Sequence, residues 1–151
     1  SLQKNLIEQG IFWLNKSIET NPNQSEVLMN LGTAYFQSNQ YIQAIKYYEI
    51  AVNLDQNNAL LFFNLALAYE FEENLEKASL YLKKSLESID KMDEEEKLTM
   101  FKSVTKKKAA SDKNPQTGSF VFEYSAQIKP SCKFKQLAKD QIPYHCNKSS
   151  Q

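Results

Sequence analysis

The chain has 151 residues, 42% of them hydrophobic, with 18 basic and 18 acidic residues and a formal net charge of +0. That is enough apolar material to bury a core, which excludes a wholly disordered chain, and the balanced charge lacks the basic surplus of a nucleic-acid binder. Only 3 Gly and 4 Pro are present, few for a protein of many tight β turns, and every basic residue is Lys, so bidentate Arg clamps on phosphate or guanine are absent.

In chain order, helical spacing of apolar residues predicts a first helix over 2–20, closed by Pro22 in the polar segment Asn21 to Gln24. A second follows over 25–38 and a third over 41–54, joined by Ser38-Asn39-Gln40. Asp55 to Asn58 forms the next turn, before a helix over 59–72. Glu73-Asn74 leads into a helix over 75–91. A sixth helix runs from Asp93 to about Lys108, with Asp93 and Glu96 in a capping pattern. Its acidic start and the Lys106 to Lys108 end suit the helix dipole. Leu98, Phe101 and Val104 or Thr105 give it a narrow apolar stripe, the mark of a terminal helix shielding its neighbours from water.

The strongest signal is self-similarity. Leu28, Leu31, Gly32 and Tyr35, followed by Ala44, Tyr48 and Ala51, recur about 34 residues later as Phe62, Leu65, Ala66, Tyr69, Ala78, Leu82 and Ser85. One period earlier stand Gly10, Leu14 and Ser17, with Pro22 at the closing position. The small residues Gly32, Ala66, Ala44 and Ala78 fit places where two helices approach closely. The pattern large-x-x-Leu-Gly/Ala-x-x-Tyr, then Ala-x-x-x-aromatic, resembles the tetratricopeptide-repeat (TPR) family. The resemblance spans about residues 1–92 and implies an all-α fold. The architecture it implies is a TPR helical-hairpin superhelix of about 2.5 repeats with a terminal capping helix and an extended C-terminal tail. The family's first-position Trp is replaced by Leu28 and Phe62, and its closing Pro by Gln56 and Asp90.

The resemblance also implies a concave face lined by the first helix of each repeat, where a polypeptide segment binds. The positions outside the packing signature are Met29, Asn30, Thr33, Phe36 and Gln37, then Leu60, Phe63, Asn64, Leu67 and Phe71, with Glu26 and Glu70 beside them. Asn30 and Asn64 share one repeat position, and a carboxamide complements a peptide unit. Resemblance to TPR proteins with an asparagine ladder implies a grip on an extended peptide; a local polar network is the other reading. Leu60, Phe63, Leu67 and Phe71 add a second apolar stripe to the 59–72 helix. Such a stripe needs a cover: a partner protein, a second copy, or the chain's own tail. TPR co-chaperones hold acidic heat-shock-protein tails with a Lys/Asn/Lys/Arg clamp; here Leu60 and Asn64 stand where its second helix needs charges, so no carboxylate clamp is expected.

Residues 1–110 are read as the array with its capping helix and 111–151 as a tail. Pro115 and Gly118 mark a link, and Phe120, Phe122 and Tyr124 alternate as in an extended segment. The tail either docks back on the array or links to a further domain. With Gln136-Leu137-Ala138-Lys139-Asp140 near its end, the layout resembles the activator subunit of the phagocyte NADPH oxidase, a TPR protein that binds a small GTPase.

No phosphate loop, nucleophile elbow or carboxylate pair is visible. His145 with Cys146 and Cys132 matches no zinc spacing, so neither enzyme activity nor a cofactor or metal is expected. No apolar run approaches the ~20 residues of a membrane span. The function expected is a protein-interaction scaffold in the cytoplasm, without nucleic-acid or membrane partners. The alternatives are a regulatory subunit of an enzyme complex, or a structural subunit of a cytoskeletal or ciliary assembly.

Overall fold

The computed structural model describes residues 1–111, with side chains described through residue 104. The expected tail, with its aromatics, Cys132, His145 and Cys146, lies outside the described residues, as do the side chains of Lys106 to Lys108. Among the described residues there are six helices: α1 (Leu2–Thr20), α2 (Ser25–Gln37), α3 (Tyr41–Leu54), α4 (Ala59–Phe71), α5 (Leu75–Ile89) and α6 (Glu94–Ser111). Their boundaries follow the sequence pattern to within a few residues. The chain divides into two compact units, Ser1–Ser88 and Ile89–Gln151.

In the first unit, successive helices pack as antiparallel hairpins, α2 lying against both α1 and α3, and α3 against α4. The repeat signature forms the core: Leu28, Leu31, Ala44, Tyr48, Ala51, Leu65, Ala66, Tyr69 and Ala78 are all buried. Gly32 shows why small residues recur. A Cβ built there would lie 2.7 Å from the Tyr48 ring and 3.2 Å from the Ala44 carbonyl oxygen, so the bare backbone of α2 lies against the Tyr48 ring of α3. The Tyr48 hydroxyl is paired with Thr33 Oγ1 at 2.9 Å, and burial pushes its pKa up. In the next repeat, Ser85 Oγ donates to the Ala59 carbonyl oxygen at 2.6 Å, tying the end of α5 to the start of α4.

Aromatic side chains repeat with the same period. Tyr35 of α2 stacks on Tyr47 of α3 with centroids 5.4 Å apart and planes 2° off parallel. Tyr69 of α4 stacks on Tyr81 of α5 at 5.7 Å and 3°. Tyr69 also donates its hydroxyl proton to Glu49 across the repeat boundary. One period before Tyr47 stands Trp13 of α1, which is 68% exposed. Nothing lies within 4 Å of a Cβ built on Gly10, the counterpart of Ala44. Trp13 and Gly10 thus mark an exposed face of α1.

Both intra-repeat turns use one device. Asn39 and Glu73, at the same repeat position, adopt φ 61°. The amide of the following residue then reaches back across the helix end, Gln40 to Tyr35 and Asn74 to Tyr69, each at 2.9 Å. This is a Schellman closure, for which glycine is the usual residue. Asn39 tolerates the left-handed region better than Glu73 does. Asn58 caps α4 through Oδ1, which accepts from the Leu61 amide at 3.1 Å.

In the second unit, α6 begins with the expected capping box. The Glu96 amide donates to Asp93 Oδ1 at 2.8 Å, and the Asp93 amide donates to Glu96 Oε2 at 3.0 Å. Its buried side chains are Met100 and Val104, with Leu98 and Phe101 half-buried. The stripe read from the sequence is thus buried at Val104 and half-buried at Leu98 and Phe101, with Met100 joining it. Helical neighbours four residues apart share a face, and Met100 and Val104 form such a pair.

Candidate functional site

The residues expected to line a binding face lie on α2 and α4, the first helices of the two complete repeats. On α2, Asn30 and Gln37 are exposed and Met29, Thr33 and Phe36 are half-buried. Thr33 is occupied internally, donating to the Met29 carbonyl at 3.0 Å as well as meeting Tyr48. On α4, Leu60 and Phe71 are half-buried, while Phe63, Asn64 and Leu67 are buried, Phe63 at 0% exposure. The second apolar stripe of α4 is therefore covered along its middle and open at its two ends. A helix with apolar residues on nearly every face is buried on nearly every face, as physical expectation requires.

Phe36 and Phe71 come together in an aromatic cluster that the sequence reading did not identify as one. Phe36 meets Phe71 edge-on at 5.2 Å and Tyr41 at 5.2 Å, and Tyr41 stacks on Phe71 at 4.7 Å. Tyr41 opens α3 and was missed. Its signal is its place immediately after the turn that brings the end of α2 beside the start of α3. Burial first, and Glu72 second, raise its pKa.

Asn30 and Asn64 occupy one repeat position but different surroundings. Asn30 is open, whereas Asn64 is 4% exposed and its Oδ1 accepts no hydrogen bond. Glu70 is half-buried on the same helix, and its Oε2 is shut away without a donor. Burial raises the Glu70 pKa to about 7. Glu70 lies two turns beyond Phe63 on one side of α4. Neither α2 nor α4 carries a Lys. Among the described residues no group of three or more His, Cys, Asp or Glu is placed to hold a metal ion. No described helix is long and apolar enough to cross a membrane.

Three family models match the chain: a TPR repeat over residues 32–70, and tetratricopeptide repeats over 13–46 and over 59–91. The matched ranges begin inside α1 and end just past α5. No curated protein sequence matches. Among solved structures, "MamA MSR-1 C2" is similar at 27% identity and a TM-score of 0.55; the match covers 59% of this chain and 51% of that one. The chain thus spans about half the length of that protein.

Proposed function

We propose, on the premise that the chain belongs to the tetratricopeptide-repeat family, that it is an interaction scaffold whose α2 and α4 face binds a polypeptide segment. TPR repeats serve protein–protein interaction in general. The observation that carries the finer reading is the Phe36–Tyr41–Phe71 cluster, half-buried and flanked by the open carboxamides of Asn30 and Gln37. Aromatic faces supply apolar area at roughly 25 cal/mol per Å² buried, and carboxamides pair with a peptide backbone through donor and acceptor together. Phe63, Asn64 and Leu67 support the site from beneath, since they are buried in the free chain. Contact therefore falls to Met29, Asn30, Phe36, Gln37, Leu60 and Phe71, with the half-buried Glu70 beside them.

The test begins with selection of random dodecapeptides displayed on phage against the native chain, followed by calorimetric titration of the selected peptides. Asn30→Ala with Gln37→Ala touches exposed side chains and leaves the core intact. Affinity for the selected peptides is expected to fall roughly tenfold, the consequence of losing about 1.4 kcal/mol. Unchanged affinity in that double variant would place binding elsewhere on the molecule.

A further inference from the structure

We infer that the segment bound on this face is basic: it presents a Lys or Arg side chain to Glu70, beside apolar residues that meet the aromatic cluster. This rests on the reading just given and adds the chemistry of the partner. The argument starts from the charges of the two lining helices. Glu26 is the single charged residue of α2 and Glu70 that of α4, and neither helix contains a Lys. Basic residues of the first unit sit instead on α1, α3 and α5. Several are engaged there over aromatic rings: Lys46 on Tyr47 at 5.6 Å, Lys77 on Tyr69 at 5.2 Å and Lys84 on Tyr81 at 5.3 Å. The lining helices thus carry one sign of charge only.

Glu70 is also unfinished as a polar group. Its Oε2 is buried and accepts no hydrogen bond, and burial raises its pKa to about 7. Asn64, buried on the same helix, likewise keeps an acceptor oxygen without a donor. A buried acceptor left unmatched is unfavourable, and a carboxylate held from water without a cation more so. An arriving ammonium or guanidinium supplies both the missing donor and the missing charge. An acidic segment meets the opposite: no Lys or Arg on the lining helices, and repulsion from Glu26 and Glu70. Charge complementarity of this kind decides which partner binds more than how tightly.

The experiment is a double-mutant cycle on the peptides selected above. Each Lys or Arg of a selected peptide is replaced by norleucine, and dissociation constants are measured with the native chain and with Glu70→Gln. Circular dichroism verifies the fold of the variant, which is close to isosteric. One basic position is expected whose replacement weakens binding on the order of tenfold to the native chain and hardly at all to Glu70→Gln. Peptides that lack basic residues, or a cycle without coupling, would overturn the inference. If those same peptides still lose affinity to Asn30→Ala with Gln37→Ala, the binding face stands and its charge preference falls. If they do not, the face itself is wrong and the inference goes with it.

Discussion

Two glycines at helix-facing positions are expected to respond to alanine in opposite directions. Gly32→Ala would place a Cβ 2.7 Å from two carbons of the Tyr48 ring and 3.2 Å from the Ala44 carbonyl oxygen. Comfortable carbon–carbon separation is about 3.5–4.0 Å, so ring or helix must retreat by roughly 1 Å. The ring is 1% exposed and its hydroxyl is tied to Thr33, so it has nowhere to swing. Overpacking of this kind costs about 1–3 kcal/mol, and the better helix propensity of alanine returns about 1 kcal/mol. The net expectation is a loss of up to about 2 kcal/mol. Gly10→Ala meets nothing within 4 Å, so only the propensity gain remains, about 0.5–1 kcal/mol. Urea unfolding followed by circular dichroism measures both, as opposite shifts of midpoint at constant slope. If Gly32→Ala proves as stable as the native chain, the close contact of α2 and α3 is not what fixes glycine there. If both variants shift together, propensity alone governs and the packing argument fails.

Glu70 makes a pH prediction. Its folded-state pKa is raised from 4.5 to about 7. The folded chain therefore keeps a proton that the unfolded chain releases, and stability falls as pH rises through that window, flattening above it. For a partly exposed group, solvent screening reduces the effect to the order of 1–2 kcal/mol. Glu70→Gln is expected to remove that slope and to exceed the native chain in urea midpoint at about pH 8 but not at about pH 5. Glu73, held at φ 61°, should gain about 1 kcal/mol on replacement by glycine, which adopts that conformation without steric cost; thermal unfolding reads this as a higher midpoint. Ser85→Ala removes the 2.6 Å bond to the Ala59 carbonyl. It should cost about 0.5–1.5 kcal/mol, the net worth of one hydrogen bond, because the Ala59 carbonyl keeps its helical partner; urea unfolding measures it.

Much of this architecture was legible because the repeat writes it twice. Leu31, Gly32 and Ala44 recur as Leu65, Ala66 and Ala78, so helix spacing and core membership follow from one periodic rule. The Asp93 and Glu96 capping box was equally plain, being local. Features that depend on neighbours in space were not. The same repeat position is open at Asn30 and closed at Asn64, a difference made by tertiary surroundings and invisible in the residue type. Tyr41 joins Phe36 and Phe71 only because two helix ends and a turn converge. The left-handed Glu73 was hidden because glycine, the usual marker of that conformation, is missing there.

The open face of α1 has an optical consequence. The chain's single tryptophan, Trp13, stands on it in water, whereas its counterparts one and two periods on are tyrosines stacked within complete repeats. Tryptophan emission in this molecule therefore reports on whatever lands on α1, and is nearly blind to events between α2 and α4. A ligand that shifts the emission has touched α1, so fluorescence and calorimetry together distinguish the two surfaces without labelling either.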